Sequence, residues 1–216
     1  MIFKTKIRDY TGSTPVIESS STYTTDNAHD DKAQRYLVDG CYDVIEKIRA
    51  TKGEDDVQNF GVMTSNDTTG NAPNIDEVRE IIHVQRNGVP AIRVTPNLAH
   101  KYTDTDSIHY ASATDPVFFI QEEYLYLKPI SSVSGALRYI YIPNYAVTNY
   151  TTEASSIDKF PAEYYEHVCM YASLKVLEDL MQNYIEDDED SELAQLTGAR
   201  IDRLKVQYNE MFGAAQ

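Results

Sequence analysis

The sequence predicts an α+β protein: a helical core, made of one long N-terminal helix and a C-terminal helical hairpin, with an inserted antiparallel β barrel or sandwich. Three observations predict it. Apolar residues recur at helical spacing in residues 28–51 and again beyond residue 160. Between them, over residues 77–147, the period changes to the two-residue alternation of strands. The joining segments are polar and rich in Ser, Thr, Asn and Gly.

Composition bounds the rest. A chain of 216 residues makes one large domain, or one domain with an insertion, and buries a core without disulfides or metals. With 42% hydrophobic and 25% charged residues it sits near the globular average, which excludes wholesale disorder. Thirty-four acids against nineteen bases leave a net charge of −15. Such a surface is repelled by nucleic-acid phosphates and anionic lipids, so neither general DNA binding nor a membrane-surface role is expected. No apolar run approaches the roughly 18 residues that span a bilayer. The opening MIFKTKIRDY lacks the apolar centre of a signal peptide, so the mature protein is expected to begin near Met1 in a cytoplasm. Cys41 and Cys169 lie far apart in helical patterns and read as reduced, buried thiols. The 17 tyrosines, with no tryptophan, suit strands. They also suit interfaces that stay partly wet.

Residues 1–27 are rich in Ser and Thr and carry no helical period, which predicts an extended arm with room for a short strand at Met1–Ile7. The first helix, over 28–51, carries Ala33, Tyr36, Leu37, Cys41, Val44, Ile45 and Ile48 on one stripe, with Gly53 as its stop. Residues 54–76 read as a polar loop with a short strand at Val57–Met63. EVREIIHVQRNGVPAIRVTP reads as strand, Asn87-Gly88 turn, strand. After a polar connection, PVFFIQEEYLYLKPI and GALRYIYIPNYAV each read as one strand. Phe160-Pro161 opens a second helix over 161–185. Its two apolar stripes, Tyr165–Cys169–Ala172–Val176–Leu180 and Met170–Leu174–Leu177–Met181, predict packing on two sides. The acidic run Glu186–Asp190 breaks the pattern, and the last helix covers 191–211. The expected organisation is therefore an arm at 1–27, a helical core from 28–53 and 158–216, and a β-rich insertion with linkers at 54–157.

No Gly-rich phosphate loop, HExxH, CxxC or GxSxG occurs, so no enzyme activity, cofactor or metal is expected. His100, Asp104, Asp106 and His109 are residue types that hold metals, but their polar surroundings read as a solvated loop. Glu186–Asp190 lacks the alternating spacing and glycine of a calcium loop and reads as a solvated turn that would favour a basic partner. Lys4, Lys6 and Arg8 stand out against the acidic total, either as a solvated terminus or as an arm for an acidic neighbour.

The C-terminal string, from the Phe160-Pro161 start through the aromatic pair Tyr164-Tyr165, the Tyr171-Ala172 segment and the acidic break to the final helix with Tyr208 and Phe212, resembles the end of tailed-phage head–tail connector proteins. The strand pair around Arg86–Pro90, the strands ending at Lys128-Pro129 and Ile142-Pro143, and the first helix with Tyr36–Gly40 extend the resemblance over residues 28–212. The branch it resembles most is the adaptor, or tail tubular protein A, of short-tailed phages. The resemblance implies a structural virion protein in the neck of a phage, assembled in the host cytoplasm. It implies a ring, commonly of twelve copies, beneath the portal protein. That ring extends the DNA channel, lets DNA pass without sequence-specific binding, and joins the next tail component, such as a nozzle or stopper. It also implies that the final helix reaches the portal, which makes Arg200, Arg203, Lys205 and Phe212 the expected portal contacts. Lys4, Lys6, Arg8, Tyr165 and Tyr171 are the expected contacts between copies or with a partner. The alternatives are another neck or tail completion protein of similar architecture, or a ligand-binding β domain that stacks sugars on aromatics of residues 117–142.

Overall fold

The computed structural model describes residues 2–12, 27–66, 73–130, 137–186 and 191–213. The helices are α1 (Phe3–Thr11), α2 (Asn27–Lys52), α3 (Glu54–Val57), α4 (Ala99–Thr103), α5 (Tyr165–Glu186) and α6 (Ser191–Glu210). The strands are β1 (Val62–Asn66), β2 (Val78–Arg86), β3 (Val89–Pro90), β4 (Ile92–Arg93), β5 (Val117–Gln121), β6 (Tyr124–Lys128), β7 (Leu137–Pro143), β8 (Val147–Thr148) and β9 (Ser156–Ile157). The protein is thus α+β, and it divides into two compact units: Met1–Asn59 with Tyr145–Gln216, and Phe60–Asn144.

In the first unit α5 packs against α1, α2 and α6. Its Val168, Cys169, Ala172 and Ser173 are fully buried, and the Ser173 hydroxyl is satisfied by donating to the Cys169 carbonyl at 2.7 Å. The two apolar stripes are therefore both used inside the unit. Gly40 marks the crossing of α2 over α5. A Cβ there would lie 3.1 Å from the Tyr171 ring and 3.2 Å from the Val168 carbonyl, so the close approach outweighs the roughly 1 kcal/mol that glycine costs in a helix.

The extended arm expected at residues 1–27 is not what the structure shows at its start. Phe3–Thr11 is a helix, with Phe3, Ile7 and Thr11 buried along one face. Two apolar residues four apart give too little period to read as a helix, and an isolated helix this short is marginal in water. It is held by tertiary contacts: the Phe3 ring meets Tyr165 edge-on at 5.2 Å, and the Phe3 amide donates to the Ser155 hydroxyl at 3.4 Å. The rest of the expected arm, residues 13–26, lies outside the described residues.

The second unit has a four-stranded antiparallel sheet, ordered β1-β7-β2-β3, and a three-stranded mixed sheet, ordered β4-β5-β6. Both sheets fill one core of Val84, Phe118, Leu125, Leu137 and Tyr139. Among the described residues neither sheet closes on itself, so the expected barrel is not formed. The first expected strand was placed at Val57–Met63, but Glu54–Phe60 is helical turn and β1 starts at Val62. After the Asn87-Gly88 turn only Val89–Pro90 stays beside β2. Ala91 donates to Val84 and Ile92 then donates to Pro116, so the chain crosses to run parallel to β5.

Residues 117–128, expected as one strand, form a hairpin. Gln121 pairs with Tyr124 across a two-residue turn in which Glu122 and Glu123 have φ of 50° and 65°. Asn87-Gly88 occupies the same left-handed region with φ of 50° and 83°, and those residue types suit it. Glutamate does not, at a cost of about 1–2 kcal/mol per residue. Two outcomes are expected from this packing. Phe3→Ala should lower stability by about 3–5 kcal/mol in denaturant unfolding, whereas a loss under about 1 kcal/mol would mean α1 is not docked. Glu122→Asn together with Glu123→Gly should raise the denaturation midpoint by relieving the turn, and a lowered midpoint would contradict the strain.

Candidate functional site

On α6, Arg200, Arg203, Leu204 and Gln207 share one face by their three- and four-residue spacing. With Ala199, and with Asp9 and Tyr10 from α1, they line an open cleft of about 600 Å³. Leu204, 5% exposed, supplies apolar lining, and the arginines supply charge. Arg200 is fixed in place: its Nε donates to the Tyr10 carbonyl at 2.9 Å, so a cation closes the carbonyl end of α1, where the helix dipole favours it. Gly12 makes this possible. Its φ is 78°, and a Cβ there would fall 2.5 Å from Arg200 Nη1. Three residues further along, Arg203 has no ion-pair partner among the described residues.

The structure separates the four residues expected at the portal. Arg200 and Arg203 stand together at the cleft. Lys205 instead pairs with Glu178 at 3.0 Å, a carboxylate that also takes Lys175 at 2.8 Å. Phe212 is 7% exposed and packs edge-on against His167 at 5.0 Å and Tyr208 at 5.2 Å, so it is a core residue and not a projecting tip.

The residues expected between copies are engaged within the unit. Lys6 pairs with Glu166 at 3.1 Å, and the Tyr10 hydroxyl donates to the same oxygen. Lys4 and Arg8 also have interaction partners. The Tyr165 hydroxyl accepts from the Ile157 amide at 3.0 Å, and Tyr171 lies 6.2 Å from Tyr208, ring to ring, with burial pushing its hydroxyl pKa up. Burial pushes the Glu166 carboxyl up as well, but the Tyr10 hydroxyl and the Lys6 ammonium outweigh it and hold the group below its ordinary value. Tyr10 itself is pushed up by burial and by that carboxylate. Two further tyrosines do the same work: Tyr36 donates to Asp179 at 2.5 Å, tying α2 to α5, and Tyr208 donates to Asp43 at 2.6 Å, tying α6 to α2.

Nothing in the described residues gathers three metal-ligand side chains. His100 is turned to the Asn97 carbonyl at 3.1 Å, Asp104 accepts from the Asp106 amide at 3.0 Å, and the His109 ring lies 6.2 Å from Tyr102. Asp187–Asp190 lie outside the described residues. Both cysteines are free and buried; Cys41 donates to the Leu37 carbonyl at 3.2 Å, and burial pushes Cys169 up to about 12. Neither thiol has the lowered pKa of a nucleophile. The aromatics of residues 117–142 are mostly interior: Phe118, Phe119 and Tyr139 are buried, and Tyr126 stacks on Phe119 at 5.0 Å, which leaves Tyr124 as the exposed ring of the group. Among the described residues no helix is long and apolar enough to cross a membrane.

Of the residues that line the cleft, the sequence singled out Arg200 and Arg203 but not Asp9 and Tyr10, because the α1 wall was read as an extended arm, nor Gln207, which carries no charge or pattern to mark it. No family model matches the chain, and no curated protein does so at a meaningful level.

The depressed Glu166 carboxyl fixes a sign. Its contribution is present above the unfolded value of 4.5 and is lost as pH falls through the lower folded value. Denaturation midpoints should therefore fall on acidification below about pH 4.5, less steeply in Glu166→Gln than in the natural chain. Equal slopes would show that the carboxylate does not hold α1. Both thiols should react with a thiol reagent only after unfolding, and fast labelling of either in the native protein would contradict their burial.

Proposed function

We propose that the chain is a structural virion protein, a head–tail adaptor of a tailed phage that forms a ring beneath the portal, extends the DNA channel and joins the capsid to the tail. The observation that carries this reading is the order of elements. A long helix, α2, is followed by the strands of the second unit and then by the α5–α6 hairpin, which Phe160-Pro161 precede. That is the order in the connector family the sequence resembles. The charge supports it too: a wall with a net charge of −15 per copy lets DNA slide without adhering. The partners on this reading are the portal, further copies of the chain and the next tail component, and its place is the neck of the virion after assembly in the host cytoplasm.

Of the residues expected to meet a partner, Arg200 and Arg203 are the pair that stands at a cleft able to receive one. A guanidinium grips carboxylates in a fork, so the cleft suits an acidic protein partner. Deleting α6 to test this would also uncover α5, because Ile201, Leu204 and Tyr208 of α6 are buried. Point substitutions at the cleft are the cleaner probe.

Copies of so acidic a chain repel one another, and salt screens that repulsion, with a Debye length of about 3 Å at 1 M. Sedimentation velocity of the isolated chain should show mainly monomer at low salt and increasing association as salt rises. A stable ring at low salt without any partner would contradict the charge argument.

A further inference from the structure

We propose that the Glu122–Glu123 tip of the β5–β6 hairpin in one copy seats in the α1–α6 cleft of the next copy, its carboxylates held by Arg200 and Arg203. The inference rests on the reading above that copies of the chain assemble, and it names the surfaces that join them.

The cleft is built to take a carboxylate. Arg200 lines the cleft with its Nε on the Tyr10 carbonyl and its guanidinium end against Gly12, so its charge is held at the cleft's edge. Arg203 lies on the same helix face, three residues on, so two planar donor sets line one opening. Leu204 and Ala199 offer apolar surface for the methylene stems of acidic side chains. Asp9 on the α1 side opposes any anion there, so the two arginines must outweigh it: a short acidic pair meets Asp9 once, whereas the continuous phosphates of a nucleic acid also meet the chain's net charge of −15.

The tip is built to project carboxylates. Glu122 and Glu123 are consecutive and exposed in a two-residue turn. They hold left-handed backbone that Asn-Gly fills at the other hairpin, so the acidic pair sits where its own conformational preference opposes it. The tip is also rigid: the Ile75 amide donates to the Glu123 carbonyl at 2.8 Å, and the Leu125 amide donates to the Pro73 carbonyl at 3.1 Å. Tyr124, 41% exposed, stands beside the pair with a ring to lay on the cleft's apolar lining. Preorganised partners lose little freedom on docking.

Tip and cleft are different surfaces, so the contact they make is head-to-tail. Repeated from copy to copy, such a contact closes into a ring when the rotation allows. A self-complementary patch would stop at a dimer.

Charge reversal in the full chain separates this contact from general repulsion. Glu122→Arg with Glu123→Arg makes the chain less acidic, so repulsion alone predicts stronger association. The contact predicts association at least tenfold weaker in sedimentation velocity at the lowest salt where the natural chain associates, because further salt screens the tip–cleft ion pairs as well. Arg203→Glu should weaken it similarly, and Arg200 is left intact in that variant so that α1 keeps its cap. An equimolar mixture of the tip-reversed chain with Arg203→Glu should recover part of the association, since the natural tip of one chain then meets the natural cleft of the other. Glu122→Asn with Glu123→Gly guards against misfolding: it relieves the turn, so it should be at least as stable as the natural chain and still associate weakly. A tip-reversed chain that associates as well as or better than the natural one, or a mixture that recovers nothing, overturns the contact while leaving the ring reading in place. A natural chain that never associates at any salt or protein concentration overturns the contact as a join between free copies, and the ring reading then stands or falls on assembly with the portal.

Discussion

From Tyr165 to Met181 no residue of α5 is exposed, and the first unit is organised by what covers that helix. A helix covered on so many sides needs several partners, and α1, α2 and α6 supply them. Where these helices meet, polar edges would be left at the rim of the contacts. Three tyrosines close them by donating to carboxylates: Tyr10 to Glu166, Tyr36 to Asp179 and Tyr208 to Asp43. Each contributes ring area to the seam and a charge-assisted bond at its edge. Part of both the tyrosine count and the acidic excess is thereby explained by folding before any partner is invoked.

This has a consequence for assembly. The two apolar stripes of α5 predicted packing on two sides, and both are covered within the chain. In the structure α1 lies against α5, with Phe3 and Ile7 fully buried. Wherever copies of the chain meet, repulsion from a net charge of −15 must be offset locally. Local offsets need bases that are not already paired within the chain. Lys6 and Lys205 are bound to Glu166 and Glu178, whereas Arg200 and Arg203 stand at an open cleft, which is why the cleft matters more than the number of bases on α6.

What the sequence made legible follows from period. The apolar stripes of α2, α5 and α6 run over many turns, and Asn87-Gly88 names its own turn by chemistry. What it hid follows from context. Helix α1 has only Phe3 and Ile7 to reveal it, and it is a helix because Ser155 and Tyr165 receive it. The β5–β6 hairpin was hidden by a turn of two glutamates inside an otherwise continuous strand pattern, and the parallel pairing of β4 by a strand of two residues that changes sheets. The burial of Phe212 was hidden because its partners, His167 and Tyr208, come together only when α6 folds back along α5. Half of the cleft was visible as the Arg200–Arg203 spacing, and the other half waited on α1.

The central claim is that this chain assembles on a portal as a ring. Native mass spectrometry of the full chain, mixed with the portal ring of the same virus, tests it most directly. The account predicts one discrete complex in which a ring of copies, twelve on the family resemblance, is added to each portal ring, with no such ring formed by the chain alone at low salt. A mixture that shows only the masses of the separate proteins would contradict it.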